Sequence, residues 1–216
     1  MRIACVGYRD WALNIYDKLA EELDHAFLIF RNRSQYDEQV LRDFNPDLVL
    51  FYGWSWLIPE GLLLDYKCLM LHPSPLPRYR GGSPIQNQII AGEQHTKVSI
   101  FLMNGELDAG DIVAQEGISL SGSLSEIFLR IENAGFNLTK NILKNGIKSA
   151  PQDHSAATYC KRRKPEESEI TLGEIRECSA QYLYNKIRML ADPYPNAYIH
   201  TVDGKKLVIK WAEINE

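Results

Sequence analysis

Apolar residues in the first half of the chain fall into short continuous runs that are separated by amphipathic stretches. Four runs of this kind lie at residues 2–7, 25–30, 47–52 and 68–71. Runs of this length, apolar on both faces, predict strands that are buried on both sides, as in a parallel sheet covered by helices. Residues 10–22 and 35–44 carry apolar positions at helical spacing and predict two of the covering helices.

The pattern continues to about residue 144 with a short helix, two strands and a long amphipathic helix. These elements are predicted at residues 83–91, 97–103, 112–120 and 124–144. Ser83 is expected to cap the short helix, with Pro84 in its first turn. Residues 149–175 are polar and turn-like, and a helix is predicted over 179–190. After Pro193 and Pro195, two β-rich runs joined at Asp203-Gly204 predict a hairpin over 196–211.

Strands that alternate with helices predict an α/β fold, here a Rossmann-like, mostly parallel sheet with helices on both faces. We expect this domain to span residues 1–150, followed by a small C-terminal α+β subdomain over 151–216 that ends in the hairpin. Ligand sites in such sheets lie at the carboxyl ends of the strands. His72 directly follows the fourth run, and residues 54–56 follow the third.

Composition and charge narrow the function classes. Hydrophobic residues make up 45% and charged residues 24% of the chain, and the net charge is −4. An acidic chain argues against a polyanion as main partner, so no nucleic acid is expected. The basic run over 161–164 is interpreted as a solvated turn, with a local anion contact as the alternative. No apolar stretch reaches the roughly 20 residues of a membrane helix, and the first residues lack a secretory signal, so a cytoplasmic protein with reduced cysteines is expected.

Metal and nucleotide-phosphate sites are both disfavoured by spacing. Cys68 and His72 stand four positions apart, which is about 13 Å on a strand and too far to share an ion. No metal is therefore expected. Neither of the glycine-rich phosphate-binding motifs, G-x-x-x-x-G-K-S/T or G-x-G-x-x-G, is present.

One histidine stands at the start of an unusually stiff loop. His72 is followed by Pro73, Pro75 and Pro77, and proline fixes φ and biases the preceding residue to extended geometry. Such a loop holds a side chain at the sheet edge with little freedom. Asp108 lies in a turn-rich loop after the next strand, so an imidazole and a carboxylate are expected to meet at neighbouring strand ends. A purely structural His–Asp pair is the alternative.

Two segments carry a family resemblance. HPSPLPRYRGGSPIQNQIIAGE, starting at His72, and VSIFLMNGELDAGDI, starting at Val98, resemble the formyltransferases that use 10-formyltetrahydrofolate. The resemblance covers most of residues 1–145. The C-terminal segment from Lys161 onward resembles the segment that follows the catalytic domain in the sugar-modifying branch of the family. The resemblance implies that His72 and Asp108 are catalytic, that the aspartate orders a relay water, and that the histidine stabilises the oxyanion or carries the proton. The family's catalytic asparagine falls on Met70, whose thioether cannot donate a hydrogen bond.

The resemblance also implies a substrate and its binding residues. The expected reaction moves a formyl group from 10-formyltetrahydrofolate to the amine of a dTDP- or UDP-linked dideoxy-amino sugar, in lipopolysaccharide biosynthesis. The alternatives are another amine, such as an aminoacyl-tRNA or a hydroxyornithine, or a weakly active folate- or nucleotide-sugar-binding homologue, because of Met70. Expected folate contacts are Trp56, Leu57, Ile58, Asn104, Gly105, Glu106 and Leu107. Expected acceptor contacts are Met70, Tyr79, Arg80, Gly81 and Gly82. A homodimer through the hairpin is a further expectation.

Overall fold

The fold is built on a central sheet flanked by helices, seen in a computed structural model that describes residues 1–192 and 194–215. The strands are β1 (Arg2–Val6), β2 (Ala26–Phe30), β3 (Leu48–Tyr52), β4 (Cys68–His72), β5 (Arg80–Gly81), β6 (His95–Leu102), β7 (Ile112–Ser119), β8 (Tyr159–Cys160), β9 (Ala197–His200) and β10 (Lys206–Ile209). The α-helices are α1 (Asp10–Glu22), α2 (Glu38–Phe44), α3 (Glu60–Asp65), α4 (Pro84–Ile90), α5 (Leu124–Asn145), α6 (Leu172–Glu177) and α7 (Ala180–Arg188). None of these helices is long and apolar enough to cross a membrane.

Six strands form the main sheet in the order β2-β1-β3-β4-β6-β7. The first four of these run parallel, whereas β6 is antiparallel to β4 and to β7. The predicted α/β class with a mostly parallel sheet is therefore confirmed. The expectation that β4 and β6 end at the same edge is wrong, because Leu69 pairs with Leu102 and His72 pairs with Ser99. The carboxyl end of β6 lies beside the start of β4.

The sheet separates two apolar cores. The larger one lies against α1 and α5 and includes Leu69 and Leu71, and the smaller one includes Cys68, with Met70 packed against it. Successive side chains of a strand point to opposite faces. Met70 and His72 therefore share the face of β4 opposite the α1/α5 core. This face becomes one wall of the cavity described below.

The sequence pattern did not predict several short elements. Helices α3 and α6 have six residues each, too few for a helical period to emerge. Strands β5 and β8 form a two-residue parallel pair between distant segments. Ser83 occupies the predicted cap position of α4, but its φ of 51° is left-handed and its side chain makes no cap. Its Oγ instead accepts a hydrogen bond from the Arg163 backbone N–H at 3.1 Å.

Residues beyond 150 contact the rest of the chain through both strand pairing and helix packing. β8 pairs with β5, and α7 packs against α4. The predicted hairpin is present as β9 and β10, which pair antiparallel; Pro193 lies outside the described residues. The division at residue 150 stays a prediction, as does a homodimer through the hairpin. What the pairing does show is that the tail reaches the loop after β4.

A glycine in the 103–111 connection tests this packing. A Cβ on Gly110 would lie 1.7 Å from the Leu102 carbonyl oxygen, so the backbone would have to move. We expect Gly110→Ala to destabilise the protein by about 1–3 kcal/mol and to lower Tm by about 2–12 °C in thermal unfolding. Gly105→Ala in the same connection meets no atom within 4 Å and should change stability by at most about 1 kcal/mol. Equal effects of the two substitutions would contradict this packing.

Candidate functional site

A cavity of about 780 Å³ opens on the Met70–His72 face of β4. Its walls come from three parts of the chain that the fold brings together, namely the loop after β3, the 103–108 segment and the stretch from Gly81 to Gln86. Arg162 and Arg163 close one side. The volume lies in the range of about 300–1,000 Å³ that small-molecule sites occupy.

His72 sits at the end of β4 with both ring nitrogens directed at protein groups. Its side chain is 7% exposed. Nε2 lies 2.9 Å from the Tyr79 carbonyl oxygen, and Nδ1 lies 3.6 Å from Asp108 Oδ2. A carbonyl oxygen only accepts, so Nε2 carries the hydrogen in this contact. In the neutral form of the ring, the lone pair is therefore on Nδ1, the nitrogen on the Asp108 side.

Asp108 reaches the histidine from the far end of the antiparallel strand. The 103–111 connection turns back along β4, and Asp108 Oδ2 accepts a hydrogen bond from the Gly81 N–H at 2.8 Å. Asp108 has a φ of 49°, which is uncommon for a residue with a side chain and is found where surrounding structure holds it. The predicted His–Asp meeting is thus present, by a different route from the one expected.

Hydrogen bonds, in addition to the prolines, hold the loop after His72. Ser99 Oγ donates to the Ser74 carbonyl at 2.6 Å, and Gln115 Nε2 donates to the Leu76 carbonyl at 3.0 Å. Gln88 Nε2 donates to the Pro73 carbonyl at 3.0 Å. The prolines leave this loop with few N–H groups, so its hydrogen bonds are made through its carbonyl oxygens. These bonds restrict the loop and the position of His72 at its start.

Arg80 and Tyr79 lie beside the cavity but do not line it. Arg80 is 1% exposed, and its guanidinium donates to Gln152 Oε1 at 2.7 and 3.2 Å and to the Tyr159 hydroxyl at 3.0 Å. Tyr79 donates its hydroxyl to Glu93 at 2.9 Å. Burial, with Glu93 beside it, raises the pKa of the Tyr79 phenol. These placements give both residues a structural role, and their predicted contact with an acceptor stays a prediction.

The other predicted site residues line the cavity. They are Trp56, Leu57, Ile58, Met70, Gly81, Gly82, Asn104, Gly105, Glu106 and Leu107. Gly81 has a φ of 102°, and a Cβ there would lie 2.4 Å from the Cys160 carbonyl oxygen, so this position requires glycine. Their assignment to folate or acceptor stays a prediction.

One end of the cavity is aromatic. The ring centroids of Trp54 and Trp56 lie 4.6 Å apart, and the Tyr8 ring lies 5.0 Å from Trp56. The Tyr8 hydroxyl and Ser55 Oγ are 2.8 Å apart. Trp56 is 43% exposed, so a flat apolar surface faces the opening and can accept a ring by stacking.

Several lining residues were missed by the sequence analysis. Arg9, Gln86, Arg162 and Arg163 all border the cavity. The solvated-turn interpretation of residues 161–164 is therefore incomplete, because β8 carries two of its arginines to the cavity rim. The signal that existed was the basic run itself, which allowed an anion contact. Arg9 stacks its guanidinium 4.7 Å from the Tyr8 ring centroid and 5.2 Å from that of Tyr194.

Metal binding and thiol chemistry are not supported by the described residues at this site. Within the described residues, no group of three or more His, Cys, Asp or Glu side chains is arranged to hold a metal ion. Cys160 lies nearby, with Sγ 3.1 Å from the Gly82 carbonyl oxygen. Burial raises the pKa of its thiol, and the charge of Asp108 adds to this. A thiol that keeps its proton is a poor nucleophile.

Comparisons with known proteins identify similar sequences. Residues 11–135 match the family model described as "Formyl transferase". A methionyl-tRNA formyltransferase of Carboxydothermus hydrogenoformans is 33% identical over 193 residues, which cover 84% of this chain and 61% of that protein. The chain thus spans less than two thirds of the length of this curated relative.

Solved structures give the same picture of the fold. A methionyl-tRNA formyltransferase from Clostridium thermocellum superimposes with a TM-score of 0.85 at 30% identity, over 97% of both chains. HypX from Aquifex aeolicus in complex with tetrahydrofolic acid has a TM-score of 0.81 at 21% identity, over 96% of this chain and 37% of that one. A likely sugar N-formyltransferase from Mycobacterium tuberculosis has a TM-score of 0.79 at 20% identity, over 100% and 98%. The last two show likeness of fold.

Gln152 offers a test of how the Asp108 segment is supported. It is 5% exposed, accepts from Arg80 and donates to the carbonyl oxygens of Asp108 and Gly110 at 3.0 and 2.7 Å. We expect Gln152→Leu to cost about 1.5–3 kcal/mol in urea unfolding, because the buried guanidinium of Arg80 loses a hydrogen-bond acceptor. The exposed Gln94, which makes a single contact to Gly92, supplies the control. Gln94→Leu should stay within about 0.5 kcal/mol, and a similarly small loss for Gln152→Leu would disprove the support.

Proposed function

Because the chain belongs to the formyl transferase family, we propose that it moves a formyl group from 10-formyltetrahydrofolate to a primary amine of a phosphate-bearing acceptor. The observation that carries this proposal is the buried His72–Asp108 pair, 3.6 Å apart at a cavity. Formyl transfer to an amine needs a group that takes a proton from the amine and returns it to the leaving nitrogen. An imidazole with a free lone pair beside a carboxylate meets this need.

The aromatic end of the cavity suits the folate. Trp54 and Trp56 offer ring faces for the pterin, and the backbone of residues 104–107 offers polar groups for its edge. HypX, whose complex contains tetrahydrofolic acid, has this fold. Bound folate would supply the formyl carbonyl, and the residues around it would orient that carbonyl toward His72.

Proton transfer follows from the geometry of the pair. The Nε2–H of His72 is held by the Tyr79 carbonyl, so proton exchange is left to Nδ1 and to Asp108 Oδ2. The acceptor amine attacks the formyl carbon, and the tetrahedral intermediate places negative charge on the formyl oxygen. His72 takes the amine proton at Nδ1, Asp108 stabilises the resulting imidazolium, and the proton then passes to the departing N10 of folate. The C–N bond to N10 breaks as the formamide forms.

Three guanidinium groups at the cavity support an anionic acceptor. Arg9, Arg162 and Arg163 border it, and guanidinium groups bind phosphate through paired N–H donors. Glu60, Glu106 and Asp108 also line the cavity, so the support comes from the guanidinium groups themselves and not from a net positive charge of the site. Hydroxyornithine carries no phosphate and is less well supported by this arrangement.

Two phosphate-bearing acceptors remain. An aminoacyl-tRNA is supported by the named function of the relatives at 30–33% identity. A nucleotide-linked amino sugar, which the sequence resemblance first suggested, is supported by the acidic net charge, since a polyanion is repelled outside the basic rim. A panel of both acceptors with 10-formyltetrahydrofolate, followed by mass spectrometry of the product, separates them. If neither acceptor is formylated, the proposal is wrong.

The catalytic pair gives a direct prediction. His72→Ala and Asp108→Asn should each lower turnover by about 100- to 10,000-fold, because general acid–base catalysis contributes this much. Tetrahydrofolate release measures the rate, and circular dichroism checks folding. His95→Ala and Asp111→Asn are matched controls, because both residues are exposed, and both variants should keep wild-type turnover. Near-normal rates in either site variant would exclude the assigned role.

Met70 gives a second prediction. It lines the cavity on the His72 face of β4 and has no hydrogen-bond donor. An amide at this position would add a donor for the formyl oxygen, and one such donor is worth about 100- to 1000-fold. We expect Met70→Asn to raise kcat by up to this factor in the same assay. Met70→Leu, which adds no donor, should leave kcat near wild type, and an equal gain in both variants would exclude a hydrogen-bonding effect.

A further inference from the structure

Two buried polar groups at the cavity have no partner. Across residues 1–192 and 194–215, the buried side-chain nitrogen and oxygen atoms without a hydrogen bond are Tyr36 Oη, Gln86 Nε2 and Arg163 Nε. Two of these three atoms belong to Gln86 and Arg163, which line the cavity described above. An unsatisfied buried donor costs about 1–3 kcal/mol, and folded proteins keep few of them. Their occurrence at the same cavity points to a ligand that supplies the acceptors.

Gln86 differs sharply from its neighbour Gln88 on α4. Gln88 is fully buried, donates to the carbonyl oxygens of Pro73 and Pro84 at 3.0 Å each, and accepts from Thr96 at 2.6 Å. Gln86 is 3% exposed, and none of these or any similar bonds forms at its amide nitrogen. The same helix thus carries one glutamine whose amide nitrogen donates hydrogen bonds within the protein and one whose amide nitrogen donates none.

Arg163 is held at the start of α4, the helix that carries Gln86. Its backbone N–H donates to Ser83 Oγ at 3.1 Å, and Ser83 stands three positions before Gln86, one helical turn away. One terminal nitrogen of Arg163 donates to the Glu167 carbonyl at 3.1 Å, and the other lies 3.9 Å from the half-exposed Glu167 carboxylate. Its Nε has no hydrogen-bond partner, and the residue lines the cavity.

We propose that Gln86 and Arg163 form the acceptor-recognition site, which rests on the proposed function. Arg163 binds an anionic oxygen of the acceptor, and the Gln86 carboxamide binds an uncharged hydroxyl or carbonyl group between that anion and the reacting amine. A carboxamide both donates and accepts, so it reads a neutral polar group, whereas the guanidinium selects the charge. The acceptor class is an amine in which a hydroxyl or carbonyl separates the nitrogen from a phosphate.

The first experiment needs no substrate. Gln86→Met keeps the length of the side chain and removes an amide that the fold leaves unpaired, so its Tm should equal or exceed that of the wild type. Gln88→Met removes a paired amide, and its Tm should fall by about 2–12 °C. A comparable fall in both variants would show that Gln86 serves the fold and would overturn the proposal.

The second experiment separates acceptor from folate. In steady-state formyl transfer, Gln86→Met should raise the acceptor KM by about 2- to 10-fold and Arg163→Met by about 10- to 150-fold, with the folate KM unchanged. Lys161→Met is the control for loss of one charge, because Lys161 is exposed in the same basic run and should keep the wild-type KM. A change in folate KM, or no change in acceptor KM, would refute the assignment while the formyl-transfer function stood.

A binding measurement keeps the inference testable without turnover. Pyrophosphate should raise the Tm of the wild type and of Lys161→Met, and this shift should be lost in Arg163→Met. If pyrophosphate stabilises all three proteins equally, or none of them, Arg163 does not bind the anion and the proposal fails. If the shift is selective but no acceptor is formylated, the anion site stands and the proposed reaction is the part that fails.

Discussion

The hydrogen bond between His72 Nε2 and the Tyr79 carbonyl, 2.9 Å long, is the constraint on which the site depends. It spans seven residues of a loop that the prolines stiffen and that Ser99, Gln115 and Gln88 hold by its carbonyl oxygens. Because the bond fixes which nitrogen carries the hydrogen, it also fixes which nitrogen faces Asp108. A looser loop would let the ring turn and exchange the roles of its two nitrogens.

The second half of the pair depends on a reversal of strand direction. Since β6 runs antiparallel to β4, the 103–111 connection begins at the wrong edge for His72 and has to return along the strand. Gln152 stabilises this return by donating to the carbonyl oxygens of Asp108 and Gly110. The close approach to the Leu102 carbonyl requires glycine at position 110. Gln152 also holds Arg80, so the segments that carry the histidine and the aspartate share one buried polar network.

The sequence predicted the parts of this arrangement that rest on local patterns. Buried strands β1, β3 and β4 follow from continuous apolar runs, and the stiff loop follows from its prolines. The direction of β6 could not be predicted, because a strand that is buried on both faces gives a continuous apolar run in either direction. The burial of Arg80 and the arrival of Arg162 and Arg163 at the cavity depend on the pairing of β5 with β8. Two-residue pairs between segments almost 80 positions apart leave no periodic trace.

The cavity is divided chemically, and this division bears on why the chain tolerates Met70. Aromatic and apolar side chains occupy the end formed by Trp54, Trp56 and β4, and charged side chains of both signs line the rest. A thioether in the apolar part packs well against a ring and adds no donor where the formyl oxygen would lie. Stabilisation of that oxygen would then depend more heavily on the imidazolium of His72, because His72 is the group at the cavity that would gain a positive charge in the proposed reaction. The rate would depend correspondingly on the exact separation of His72 and Asp108, which the Tyr79 and Gly81 backbone contacts set.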